Sequence, residues 1–211
     1  MSQIGLPFDW QEQGGQGQFI VGDANRLALD HIERWRDWPI PISILSGPPR
    51  SGKSALGRHF AGLSGGVVMD DANRQPNETL FHQWNIARDT GVPLLLIARE
   101  APELWTVALP DLRSRLAAAP HVRIAEPDDA LMLSLIETGL AAAGSAYAPD
   151  VPEWLARRIE RSYAALASTL DVLNRASLAS ARKISVASAK EALQNSHLFP
   201  IERDETGQGH S

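Results

Sequence analysis

The sequence predicts an α/β fold, a parallel sheet layered with helices, followed by a smaller all-helical unit. Three observations carry that reading. The β-branched run Ile42-Ser43-Ile44-Leu45-Ser46 and the unbroken run Val92-Pro93-Leu94-Leu95-Leu96-Ile97-Ala98 have strand length, and the second is apolar enough to be covered on both faces. Helical periodicity separates the apolar runs, as in βαβ units. From Asp128 onward the apolar residues recur only at helical spacing, as in a bundle.

Taken in order, residues 1–17 are polar and glycine-rich and read as a flexible tail. They surround one apolar island, Ile4-Gly5-Leu6-Pro7-Phe8. That island either folds back on the body or docks as a linear motif in a partner's groove. Phe19-Ile20-Val21-Gly22 is a short strand or loop, and Asp23 has the chemistry of an N-cap. Leu27, Leu29, Ile32 and Trp35 then form a helical stripe to about Trp38, where Pro39 and Pro41 end it. The strand at 42–46 leads into a helix that runs to about Ala61 and stops at Gly62, Gly65 and Gly66. Val67-Val68-Met69 is a strand ending in two acids. A helix spans Glu78 to Asp89 with Leu80, Phe81, Trp84 and Ala87 inward, closed by Gly91. The strand at 93–98 ends at Arg99-Glu100. A short helix at 102–107, a second at 109–116 and a strand at 121–125 complete the α/β part, which spans 18–126. Residues 127–195 form the helical unit, with helices through Leu131 to Leu140, at 151–161, at 163–182 and from near Ser185 to about Gln194. Residues 196–211 are polar and read as a disordered tail.

The chemistry concentrates after the first core strand. Gly47-Pro48-Pro49-Arg50-Ser51-Gly52-Lys53-Ser54 is G-x-x-x-x-G-K-[ST] in full, between a strand and a helix as that motif requires. Glycines let the backbone approach an anion closely. Successive N–H groups then form a nest at a helix N-terminus. Lys53 can reach β- and γ-phosphates, and the Ser54 hydroxyl suits Mg²⁺. Asp70 and Asp71 close a strand at the sheet end where ligands of parallel α/β folds sit. They either hold Mg²⁺ and polarise water, with Asp70 as the metal ligand, or merely cap the helix that begins near Pro76.

Composition narrows the rest. The 211-residue chain is 44% hydrophobic and 21% charged, with ample length for a buried core. A net charge of −5 gives no electrostatic case for wrapping a nucleic-acid backbone. With no cysteine, thiolate metal sites and cysteine nucleophiles are excluded. No leader-like or bilayer-spanning run is present, so a cytoplasmic protein that does not enter membranes is expected.

A P-loop domain followed by a helical lid resembles the AAA+ plan, and particular segments narrow the resemblance. Phe19-Ile20-Val21-Gly22-Asp23-Ala24-Asn25-Arg26 is similar to the "F-V-V-G-x-x-N" box of the bacterial replication initiator DnaA. Asp70-Asp71 is similar to that group's Walker B ending. Leu109-Pro110-Asp111-Leu112-Arg113-Ser114-Arg115-Leu116 resembles the box that carries the arginine finger. Thr169-Leu170-Asp171-Val172-Leu173-Asn174-Arg175-Ala176-Ser177 resembles the third lid helix of Hda, the DnaA paralogue that shuts initiation down. Gln3-Ile4-Gly5-Leu6-Pro7-Phe8 resembles the clamp-binding peptide of Hda proteins, so docking becomes the preferred reading of the island.

The resemblance implies a bacterial Hda-type regulator that binds ADP or ATP with Mg²⁺, DnaA, and the β sliding clamp of DNA polymerase III. It implies no sequence-specific DNA contact of its own, and homo-oligomers stay open. Residues 47–54 with Ile20, Val21 and Arg99 would hold the nucleotide. Ser54 and Asp70 would hold the metal, with Asp70 and Asp71 at the reacting end. Gln3, Ile4, Leu6, Pro7 and Phe8 would enter the clamp groove. Arg115 would act in trans on the γ-phosphate held by DnaA, with Arg113 as its nearby understudy. Read without the resemblance, both arginines belong to a solvated, ion-paired helix face.

Three departures qualify this. The strand-end sensor position carries Arg99, and the lid arginine position carries Ala164, with Arg157, Arg158 and Arg161 as substitutes only under different helix packing. The chain between the P-loop helix and the Walker B strand is short, so a reduced sheet of about four strands (42–46, 67–70, 93–98, 121–125) is expected, with the Walker B strand at an edge. Intrinsic ATPase should therefore be weak or absent. The alternatives are an autonomous AAA+ ATPase of helicase-loader type and a degenerate scaffold.

Overall fold

A computed structural model of the chain describes residues 4–8, 17–142, 146–180 and 182–196. Its centre is a four-stranded parallel sheet in the order β4-β5-β3-β6. The strands are β3 (Ile42–Ser46), β4 (Val67–Met69), β5 (Leu94–Ala98) and β6 (His121–Arg123). Ile42 lies opposite Leu94, Ile44 opposite His121, and Val67 opposite Leu94. The reduced sheet expected from the sequence is therefore present, with the Walker B strand β4 at one edge. A separate antiparallel pair joins β1 (Ile4–Phe8) to β2 (Gly17–Phe19), with Ile4 opposite Phe19. Ile4, Leu6, Pro7 and Phe8, expected from the sequence to dock on the clamp, thus lie in β1. Gln3 falls outside the described residues, as does the tail from residue 197 onward.

Strand alternation sorts the core onto two faces. Leu45, Leu95 and Ile97 point to one side, where α1 (Asp23–Glu33) and α2 (Lys53–Ser64) pack with Leu29, Ile32, Leu56 and Phe60. Ile42, Ile44, Leu94, Leu96 and Ala98 point to the other. There α3 (Asn77–Thr90) supplies Leu80 and Trp84, and α4 (Pro110–Ala118) supplies Leu112 and Leu116. Each such fully buried side chain contributes about 1.5–3 kcal/mol. Gly57 sets how closely α2 lies on the sheet, since a Cβ there would stand 2.7 Å from Ile97 Cδ1 and 3.0 Å from Val68 Cγ1.

The lid consists of α5 (Asp129–Ala142), α6 (Val151–Ala156), α7 (Tyr163–Ser180) and α8 (Val186–Asn195). Its inward residues, among them Leu131, Ile136, Leu140, Leu155, Leu166, Leu170 and Leu193, join the apolar cluster on the P-loop side of the sheet. Gly139 lets α7 close on α5, because a Cβ there would run directly into Leu170 Cδ1.

Several boundaries differ from the sequence expectation. Helix α1 stops at Glu33 and a 3-10 turn at Trp35–Asp37 follows, because Trp38 is drawn inward. Its indole stacks on His31 (5.1 Å) and Phe60 (5.3 Å) and donates to the His31 carbonyl (3.0 Å). The N-cap of α1 is Gly22 rather than Asp23. Helix α2 absorbs Gly62 and ends at Gly65, whose φ of +66° suits a C-cap. The helix expected at 151–161 is helical only to Ala156, and that at 102–107 shrinks to a 3-10 turn over Pro102–Leu104. Strand β5 starts at Leu94 and β6 ends at Arg123, inside the expected spans.

Candidate nucleotide-binding site

The loop from Gly47 to Gly52 joins the carboxyl end of β3 to the start of α2. Gly47 is pressed on the segment after β6: a Cβ there would stand 2.9 Å from Ile124 Cβ and 3.0 Å from its carbonyl oxygen. Gly52 has φ +88° and Arg50 φ +62°, so the loop winds back through the left-handed region twice before the helix begins. Left-handed residues of this kind recur in the backbone form of an anion nest.

Lys53 is 9% exposed, and its Nζ is turned onto the loop. It donates to the Gly47 carbonyl at 2.8 Å, the Pro48 carbonyl at 2.5 Å and Ser51 Oγ at 3.4 Å. Burial pushes its pKa down to about 8, and the Arg99 charge adds in the same direction. Asp70, Asp71 and Glu126 oppose the shift. One residue on, Ser54 Oγ donates to Asp70 Oδ2 at 2.6 Å, and Asp70 Oδ1 accepts the Asp71 N–H at 2.9 Å. Asp71 has φ +47°, which swings the chain away just past the Asp70 carboxylate. Loop, lysine, hydroxyl and carboxylate therefore meet at one end of the sheet, although β5 separates β3 from β4.

These residues fit a nucleotide with its metal. The loop begins at Gly47, where any Cβ would collide with Ile124. A buried ammonium spends its protons on loop carbonyls, and a hydroxyl and a carboxylate oxygen stand together as hard oxygen donors for Mg²⁺. Mg²⁺ held there would neutralise phosphate charge. Lys53 and the loop amides would orient the phosphates. Among the described residues no cluster of three His, Asp or Glu side chains suits a structural metal, and no helix is long and apolar enough to cross a membrane.

The lysine carries a pH signature. Affinity for ADP should fall as pH rises from 7 to 9, because the free site loses the Lys53 proton near 8. Nucleotide-free protein should gain stability from about pH 8 toward the ordinary lysine value of 10.5, since over that interval the unfolded chain holds more protons. Titrating ADP at pH 7, 8 and 9 against wild type and Lys53→Arg tests this. A flat wild-type profile would refute it.

The remaining predicted residues are arranged as follows. Ile20 and Val21 lie beside the lid, since a Cβ on the adjacent Gly22 would stand 3.1 Å from Leu131 Cβ. Asn25 fixes that box: its Oδ1 accepts the Gly22 N–H and its Nδ2 donates to the Ile20 carbonyl, both at 2.9 Å. Arg99 ends the strand between the P-loop and Asp70, exposed, with its charge felt at Lys53. Arg157 pairs with Glu153 (3.1 Å), Arg158 lies over the Trp154 ring (4.8 Å) and Arg161 pairs with Asp129 (2.8 Å). Each of these three arginines thus has a partner of its own. The P-loop reaches the lid instead, where Arg50 meets Asp171 of α7 at 3.7 Å.

Arg115 stands apart, on the opposite face of the sheet from α2. Its side chain is 23% exposed, pairs with Asp111 Oδ2 at 2.7 Å, donates to Asn85 Oδ1 at 2.9 Å and lies over the Phe81 ring at 5.0 Å. Arg113 is tied to the backbone, donating twice to the Val107 carbonyl at 2.6 and 3.2 Å.

Sequence reasoning missed Asp171, Glu126 and Tyr163. Asp171 stands there only within the segment that resembles the third lid helix, Tyr163 only as the start of an expected helix, and residue 126 only as the end of the α/β part. Asp171 comes to the P-loop through the lid's return onto the sheet, where it meets Arg50.

Comparison with known proteins bears on the fold and the lid. A family model of the Hda lid domain matches residues 136–193. The fold is similar to domain III of the Thermotoga maritima replication initiation protein DnaA, at TM-score 0.71 and 13% identity, over 84% of this chain and 94% of that one. It is also similar to AMPPCP-bound DnaA from Aquifex aeolicus, at TM-score 0.59 and 17% identity, over 74% of this chain. The match spans 63% of that Aquifex chain, less than two thirds of its length. The Thermotoga maritima RuvB Holliday junction branch migration motor is similar at TM-score 0.62 and 14% identity, over 83% of this chain and 70% of that one. At these identities the likeness is one of fold. The parallel sheet with its P-loop and the helical lid thus have the fold of DnaA domain III, and residues 136–193 match the Hda lid domain.

Proposed function

We propose that this protein is an Hda-like negative regulator of replication initiation in the bacterial cytoplasm. It holds ADP or ATP with Mg²⁺ at residues 47–54 and Asp70, docks on the DNA polymerase sliding clamp through residues 3–8, and promotes ATP hydrolysis by DnaA through Arg115. The observation that carries the reading is the Hda lid match on a chain with a complete P-loop. The partial exposure of Arg115, on the face opposite α2, supports a guanidinium that acts on a neighbour's nucleotide rather than on the chain's own. The decisive assay measures hydrolysis of DnaA-bound ATP with DNA-loaded clamp, with and without this protein. Faster hydrolysis that requires both the protein and the loaded clamp is expected. No acceleration would end the reading.

The Ser54–Asp70 contact favours a second reading, an autonomous AAA+ ATPase, because it keeps a metal-binding pair intact. Steady turnover by the isolated protein would select that alternative. Weak or absent turnover supports the regulator.

A further inference from the structure

Arg50 sits in the part of the loop that wraps the Lys53 ammonium. Pro48, just before it in the chain, and Ser51, directly after it, both accept from Lys53 Nζ. Its φ of +62° is one that a residue with a Cβ rarely adopts, and such positions cluster where proteins clamp ligands. The guanidinium leaves the loop and faces Asp171 Oδ2 of α7 at 3.7 Å, with 48% and 36% of the two side chains exposed. That separation is an ion pair but exceeds a hydrogen bond. Among the described residues Arg50 donates no hydrogen bond, so every N–H of its guanidinium is uncommitted to protein. Other arginines of the chain are tied more tightly: Arg115 to Asp111 at 2.7 Å, Arg161 to Asp129 at 2.8 Å, and Arg113 to the Val107 carbonyl at 2.6 Å.

The two ends of this pair differ in freedom. Asp171 is carried by a helix turn that is locked in place: Leu170 and Leu173 flank it, each 1% exposed within the apolar cluster, and Gly139 of α5 lets Leu170 close in. Arg50 instead has a long flexible stem rooted in the loop. A phosphate held in that loop would offer the guanidinium paired, charge-assisted hydrogen bonds. Asp171 offers only a solvent-exposed charge beyond hydrogen-bond distance, a weak interaction. The phosphate therefore wins the competition. By linkage, whatever the pair contributes in the absence of nucleotide is subtracted from nucleotide affinity.

We propose that Asp171 is a positioning residue of the nucleotide site: it holds the Arg50 guanidinium in reserve beside the loop, and the phosphate oxygens of a bound nucleotide take that guanidinium from it. This inference rests on the nucleotide-binding reading above. Its test is a double-mutant cycle in the full chain, with ADP affinity read by calorimetry. Asp171→Asn keeps the side-chain shape and removes the competing charge, so it should bind ADP about threefold more tightly, the scale of an exposed ion pair. Arg50→Gln keeps hydrogen-bonding capacity without the charge and should bind ADP about tenfold more weakly, yet measurably. Adding Asp171→Asn to Arg50→Gln should change nothing further. Equal tightening in both backgrounds would mean that Asp171 simply repels phosphate. Unchanged or weaker ADP binding by Asp171→Asn alone would mean that its role is structural or nil. Either result overturns the Asp171 inference and leaves the nucleotide site standing. Wild type that does not bind ADP overturns this inference together with the reading it rests on.

Discussion

Replacing Arg115 by alanine is expected to abolish the stimulated hydrolysis of DnaA-bound ATP while leaving the chain's own ADP affinity and clamp binding intact. A guanidinium supplied in trans to a γ-phosphate accelerates hydrolysis by roughly 10³–10⁵-fold, so the stimulated rate should drop to the level of DnaA alone. Arg115→Lys should rescue poorly, because an ammonium is a point charge and lacks the planar fork. The local geometry supplies a control. Asp111, Asn85 and Phe81 hold Arg115 in place, so Asn85→Ala should weaken stimulation without abolishing it. Arg113→Ala removes two hydrogen bonds to the Val107 carbonyl and should cost stability, about 1 kcal/mol each, before it costs stimulation. Single-turnover release of labelled phosphate from DnaA reads all four variants. Full stimulation by Arg115→Ala would remove Arg115 from the mechanism.

Lys53→Ala should lose nucleotide binding almost completely. The ammonium now bonded to the Gly47 and Pro48 carbonyls is the charge available to phosphate. Charge-assisted hydrogen bonds contribute about 1.5–3 kcal/mol each, so losing two weakens affinity on the order of 100-fold or more. Ligand at about 100 times its dissociation constant stabilises the wild type by about 2.7 kcal/mol. For a chain of this size that is a melting-point rise of roughly 5–10 °C. The variant should show none while keeping its helical circular dichroism. An equal rise in both proteins would mean that the nucleotide is held elsewhere.

The parts of this fold that the sequence made legible are those set by local chemistry. The strands at 42–46 and 94–98 are buried along their whole length, and their apolar runs say so. The spacing from Gly47 to Ser54 specifies the loop, and the short connection after α2 specifies that β4 has no neighbour beyond it. What stayed hidden depends on residues that meet only once the chain has folded. Trp35 fits the stripe of α1, yet the pull of Trp38 toward His31 and Phe60 ends the helix two residues earlier. Arg50 reads as a phosphate ligand, but its ion pair lies 121 positions away at Asp171, a separation no local pattern encodes (171 − 50). Likewise, nothing around Arg115 announces that α3 would supply an amide and an aromatic ring to hold its guanidinium.

The apolar cluster beneath the P-loop runs without a break from Phe60 through Ile124 and Leu131 to Leu193, ignoring the sequence boundary near Pro127. A fragment cut there would turn Phe19, Val21, Leu29 and Ile124 out to water, and the excised helices would lose the same surface from their own side. Body and lid share one core, so a single calorimetric transition is the expected result for the pair. Damage deep in the bundle, such as a cavity at Leu166 or Leu170, registers at the phosphate cradle as a loss of order rather than as a missing contact.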